Sequence, residues 1–102
     1  MARFVAISRM REVPMPPEVM KNAVPAVIPW QKQLQADGKL EASYTFGDQP
    51  GACLILNMAS HEELQRVLWS HPLFPIIMFE VHPVVLAEET EKTMKETVKR
   101  LP

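Results

Sequence analysis

Two prolines three residues apart open the stretch that most limits what this chain can become. His71-Pro72-Leu73-Phe74-Pro75 runs directly into Ile76-Ile77-Met78-Phe79-Glu80-Val81-His82-Pro83-Val84. Proline has no N–H and pushes its predecessor out of the helical region, so a helix arriving from the N-terminal side has to stop at Pro72. Beyond it, residues 75–86 read as a strand whose ionisable side chains, Glu80 and His82, are two positions apart. Residues two apart on a strand share a face. The chain therefore has to supply a clamp, a core beneath one face of this strand, and a place for a polar pair on the other.

The remaining elements fall into order around that strand. Residues 3–9 alternate as a first strand, with Phe4, Ala6 and Ser8 on one face and Arg3, Val5, Ile7 and Arg9 on the other. Residues 18–37 read as helical but broken. Pro17 suits a first helical position, whereas Pro25 and Pro29 would each cost about 3 kcal/mol inside a helix. A kink, or two short helices meeting near Val24 to Ile28, is the expected outcome. Val27, Trp30 and Leu34 then form an apolar stripe, and Gly38 suits the position just past a helix end. Residues 39–46 alternate as a second strand, with Leu40, Ala42, Tyr44 and Phe46 expected on one face. Residues 47–51 make a hairpin loop, and 52–58 a third strand apolar enough to be central. Ser60 and Glu63 form a capping box for a helix that runs to about Ser70. A terminal helix over 88–101 carries Glu88–Lys92, Glu91–Lys95 and Glu96–Arg100 at favourable spacing. Its apolar stripe, Met94, Val98 and Leu101, is thin, and such a helix docks on something else more readily than it folds alone.

The order β-α-β-β-α-β defines an α+β, ferredoxin-like fold with an added C-terminal helix. Helices cover one face of its four-stranded sheet. The other needs a partner, often a second copy whose sheet closes a dimeric α+β barrel. One domain is expected across 1–102, with 87–102 an extension that packs in cis or on the partner.

Several function classes are disfavoured. A formal net charge of −1 leaves no basic excess for nucleic acid. No apolar run approaches the roughly 20 residues of a spanning helix, and the first residues lack a signal peptide's apolar region. Cys53 alone cannot form an internal disulfide, which suits a reducing, cytoplasmic setting. Gly38, Gly47 and Gly51 cannot build a phosphate cradle. The three histidines show no metal-ligand spacing, so neither metal nor cofactor is expected.

The polar groups of the fourth strand carry the functional reading. Ile77, Phe79 and Val81 should pack under the helices, leaving Ile76, Met78, Glu80 and His82 on the open face. Glu80 is either a structural ion-pair partner or a pocket carboxylate. His82, before Pro83, either caps the strand exit or acts as an acid–base group, a role that suits histidine in general. The first strand's arginines lie either under the helices, where they would need partners, or on the open face, where one could reach Glu80. His71 reads as a turn residue or a donor to a carbonyl at the helix end. His61 reads as exposed, Cys53 as a small core hydrophobe, and Trp30 and Tyr44 as core or pocket wall.

Pro72-Leu73-Phe74-Pro75, with Phe79-Glu80-Val81 three residues further on, resembles the Pro-Leu-Phe-Pro…Ile-Glu-Val signature of the muconolactone Δ-isomerases. Length and element order are similar as well, over roughly Met15 to Val81. The resemblance implies a dimeric α+β barrel, commonly assembled further into a ring of dimers. It also implies a cofactor-free isomerase that shifts a double bond in a lactone of aromatic catabolism by abstracting and returning a proton. The pocket would lie between sheet and helices near the dimer interface, with a base of pKa near 7 and donors for the developing enolate. Register from Gly38 places Val27, Ile28 and Pro29 where the family carries acidic residues. Pro50 and Ala52 fall near its Tyr and Asn, and Met78 on its fourth-strand aspartate; Glu80 carries over cleanly. The expected catalytic residues are Glu80 as base and His82 as a second acid–base group. Tyr44, Met78, Trp30, Arg9 and Phe74 are the expected substrate-binding residues. The expected partners are a second copy and a small apolar molecule. The alternative is a non-catalytic small-molecule-binding or assembly module on the same scaffold, with Glu80 in a structural ion pair.

Overall fold

Alternating apolar side chains build four strands: β1 (Ala2–Met10), β2 (Leu40–Thr45), β3 (Gly51–Met58) and β4 (Ile77–Pro83). They form one antiparallel sheet in the order β2-β3-β1-β4, so β4 is an edge strand. The computed structural model describes residues 1–102. Its helices are α1 (Pro17–Ala23), α2 (Val27–Ala36), α3 (His61–Trp69) and α4 (Ala87–Lys99).

The broken helix takes the form its prolines require. A 3₁₀ turn at Val24–Ala26 separates α1 from α2 and contains Pro25. Because α2 restarts at Val27, Pro29 falls in its first turn, where N–H groups have no intrahelical acceptor and a missing one costs little. Gly38, at φ +73°, ends the helix as expected. There the Lys39 N–H donates to the Leu34 carbonyl at 2.9 Å. At the start of α3 the Glu63 N–H donates to Ser60 Oγ at 3.1 Å. The Glu63 carboxylate accepts from the Ala59 N–H, one residue earlier than a standard capping box.

Phe4, Ala6, Leu54, Leu56 and Met58 point to the helix-covered face and join Leu34, Leu40, Val67 and Leu68 in the main core. Arg3, Val5, Ile7 and Arg9 therefore take the open face, as the costlier alternative of buried arginines would suggest. A second, smaller cluster of Leu73, Ile76 and Ile77 packs with Met15, Met20 and Val27.

Two expected placements are corrected. A bulge between Leu40 and Ala42 breaks the alternation of β2: Leu40 pairs with Leu56, but Ala42 pairs with Ile55 and Tyr44 with Cys53. Ala42 and Tyr44 thus share the open face, while Ser43 and Thr45 turn to the helices. Ile76, expected on the open face, lies in a 3₁₀ turn at Phe74–Ile76 and is 3% exposed, because the second proline delays β4 until Ile77. In α4, Glu91 and Lys95 pair at 3.4 Å. No residue of α4 is buried, and no helix is long and apolar enough to cross a membrane.

Candidate functional site

A cavity of about 450 Å³ lies between the kinked helical segment and the helix-covered face of the sheet. The kinked segment forms one wall of it. The lining takes Met20, Val24, Val27 and Ile28 from the helical segment, Leu54 from the main core, and Leu73 and Ile77 from the second cluster. Val27, Ile28, Pro50 and Ala52, the positions at which the resemblance expects polar residues, are all among its walls. Gly51 belongs there too. A Cβ at that position would meet the Ser8 carbonyl oxygen at 2.5 Å, so the strands approach more closely than any side chain allows.

The polar part of the lining is short: Ser8, Arg9, Gln31, Thr45 and His71, with no carboxylate. Ser8 Oγ accepts from the Ala52 N–H at 3.1 Å, which satisfies a buried hydroxyl. Gln31 Oε1 accepts from Ser43 Oγ at 2.9 Å, leaving the Gln31 amide N–H₂ as a donor.

His71 is the residue that sequence reasoning undervalued. Its backbone carbonyl accepts from the Phe74 N–H at 2.9 Å, as part of the turn that Pro72 imposes. The Leu73 N–H donates to its Nδ1 at 2.9 Å. So it is a turn residue, but its ring accepts from the turn rather than donating to a helix carbonyl. Trp30 lies against the ring at 4.7 Å between centroids, and Phe79 meets it edge-on at 5.8 Å. Trp30 is held in turn by its Nε1–H, which donates to Ser70 Oγ at 2.9 Å. The packing leaves His71 only 8% exposed, and burial pushes its pKa down to about 4. Near neutral pH the ring is uncharged. With Nδ1 accepting, the hydrogen sits on Nε2. The one sequence signal for this role is position: His71 ends the turn before the proline clamp.

The expected catalytic pair lies on the other side of the sheet. Glu80 and His82 share the open face of β4, with His82 Nε2 at 3.3 Å from Glu80 Oε2 and both side chains more than half exposed. No arginine pairs with Glu80. Its neighbour on β1 is Ile7, and Arg9 lies opposite Met78. Arg3 instead pairs with Glu41 at 2.9 Å, and that contact, together with Asn57, holds the Glu41 carboxyl below its ordinary pKa.

Of the five expected substrate-binding residues, Arg9 borders the cavity, although β1 turns its side chain to the open face. Trp30 stands behind it, against His71. Phe74 stacks on Trp69 at 5.1 Å. Tyr44 and Met78, 66% and 56% exposed, belong to the open face with Glu80 and His82.

Residues 4–101 match the family model described as muconolactone delta-isomerase. No curated protein matches the chain by sequence. Among solved structures, the chain superposes on a crystal structure of muconolactone isomerase with a TM-score of 0.71 at 21% identity, covering 82% of this chain and 88% of that one. It also superposes on 5-chloro-2-hydroxyhydroquinone dehydrochlorinase from Burkholderia phenoliruptrix AC1100, solved with 2,5-dihydroxybenzoquinone. There the TM-score is 0.63 at 16% identity, covering 84% of this chain and 97% of that one. At these identities the likeness is one of fold.

Proposed function

The chain belongs to the muconolactone delta-isomerase family, and from that premise we propose that it is a cofactor-independent isomerase acting by proton transfer on a lactone or similar apolar cyclic compound. One observation carries the reading. The helix-side cavity is walled by Val27, Ile28, Pro50 and Ala52, where the family resemblance expects polar groups, so a pocket persists at those positions with an apolar lining. Its size suits a small ring compound. Its donors, with no opposing carboxylate, suit a ligand that presents oxygen and builds up negative charge there.

Such a reaction also needs a group to carry the proton. In this proposal Glu80 does so with His82, the carboxylate and imidazole in contact at 3.3 Å. They lie across the sheet from the cavity, so the assignment includes a second copy of the chain that brings its pair to the site. The edge position of β4 makes such an approach open to a neighbour. A homodimer, and a ring of dimers beyond it, with α4 packed on a partner, belongs to the same proposal, as does a single domain over 1–102. The second reading is a small-molecule-binding module. It is favoured by the absence of any carboxylate from the cavity lining.

The test is muconolactone isomerisation by the wild type, by Glu80→Gln and His82→Ala, and by Ile28→Trp, which fills the cavity from a half-exposed position. Loss of turnover in Glu80→Gln and in Ile28→Trp, regained when the two are mixed and reassembled, is the outcome expected of a shared site. A well-folded wild type without turnover would leave the binding module standing. Turnover intact in Glu80→Gln would remove the assigned base.

A further inference from the structure

We propose that His71 engages the cavity ligand as a neutral hydrogen-bond donor, its Nε2–H binding the carbonyl oxygen of a cyclic lactone and holding the charge when that oxygen becomes an enolate. The class of ligand rests on the isomerase reading; the donor role rests on the geometry of the ring. His71 lines the cavity although the residue is 8% exposed. One nitrogen is committed, since Nδ1 accepts from the Leu73 N–H at 2.9 Å. Nε2 makes no hydrogen bond within the chain and keeps some contact with open space, which leaves it free for a ligand atom.

The ring's setting decides between donor and base. A base at Nε2 would have to arrive unprotonated there, which requires the hydrogen on Nδ1, facing the Leu73 N–H. An imidazolium is opposed as well. Its flanks are Trp30 of α2 and Phe79 of β4. No carboxylate lines the cavity to compensate the charge, and the one cation on its border, Arg9 of β1, is a like charge whose side chain turns to the open face. Burial pushes the ring in the same direction. The Nε2–H therefore stays on nitrogen throughout: His71 polarises the oxygen and neither takes nor gives a proton. The leaving proton goes to a separate base. Gln31, whose amide N–H₂ is left free by the Ser43 contact, is the second donor in the same lining.

The experiment uses tetronic acid, whose anion is the enolate of a five-membered lactone, with protein labelled with ¹⁵N in its histidines. In the wild type the His71 ring should show the Nε2–H tautomer near neutral pH, and its Nε2 resonance should move on addition of tetronate. His71→Leu should lose about tenfold or more in tetronate affinity, and His71→Gln, whose amide can still donate, should keep part of it. Should His71→Leu fail to fold, the wild-type tautomer and its response to tetronate decide the matter alone. The proposal is overturned by an Nδ1–H tautomer or an imidazolium in the complex, by unchanged affinity in a folded His71→Leu, or by no tetronate binding in the wild type. The two readings separate cleanly. His71-dependent tetronate binding without muconolactone turnover would sink the isomerase and keep the donor. Full turnover in His71→Leu would do the reverse.

Discussion

The two faces of one sheet carry different kinds of polar chemistry. On the helix side, Leu54, Leu56 and Met58 are almost fully buried, and the hydrogen-bonded polar side chains there are neutral: Ser8 accepts from the Ala52 N–H, His71 from the Leu73 N–H, and Gln31 from Ser43. On the open side the polar groups are charged and paired side chain to side chain, Arg3 with Glu41 and Glu80 with His82, and water reaches them. The difference is one of dielectric. A neutral imidazole can be buried cheaply if one nitrogen is satisfied, whereas a carboxylate cannot. An exposed ion pair contributes little to stability in either direction. The helix side is thus suited to recognising a neutral or oxyanion-bearing ligand, and the open side to moving charge or meeting a second chain.

The largest expected effect sharpens this contrast with adjacent residues of β3. Leu54→Ala should destabilise the chain by about 2–5 kcal/mol, since its side chain is fully buried. Ile55→Ala, on the open face, should cost clearly less in chemical denaturation. Equal costs would break the contrast and mean that a second copy covers the open face in solution.

The next effect comes from His71. Its pKa falls from the ordinary 6.5 to about 4 on folding. Between those values the unfolded chain binds a proton that the folded chain does not, so stability rises with pH. The contribution is fully present above 6.5 and is lost as pH falls toward 4, with an order of magnitude of about 3 kcal/mol. His71→Leu should flatten the stability profile over that window. A profile unchanged by the substitution would mean that the ring is solvated.

Gly51→Ala should cost about 1–3 kcal/mol, through the φ of +148° and the 2.5 Å approach of a Cβ to the Ser8 carbonyl oxygen. Thermal melting of that variant measures how tight the crossing beside the cavity is, and an unshifted midpoint would mean that the strands part easily there. The smallest effect belongs to the open-face pair: Glu80→Gln and His82→Ala should each change stability by no more than about 0.5 kcal/mol. A larger loss in urea titration would show the pair to be enclosed by an assembly. A small one leaves any loss of turnover free of a folding explanation.

Much of the fold was legible because its determinants are local. Pro25 and Pro29 demanded a break near Val24 to Ile28, Gly38 a helix end, Ser60 and Glu63 a helix start, and Ile77, Phe79 and Val81 a buried strand face. The site was less legible. The bulge after Leu40 reverses the side on which Tyr44 falls, and nothing in the alternation of 39–46 announces it. His71 looked like a turn residue because its turn is local, while its burial depends on Trp30 and Phe79, distant in sequence and brought together only by packing.

The order of elements, the kink, the clamp at Pro72 and the pairing of Glu80 with His82 on one strand face come from spacing and from the geometry of proline and glycine, which act over a few residues. Only the tertiary structure decided that the kinked segment forms one wall of a cavity, that Arg3 takes Glu41 rather than Glu80, and that His71 is the imidazole held neutral against that cavity. Each of those depends on distances between segments tens of residues apart, and the register and closeness of such segments come from the packing of the whole core.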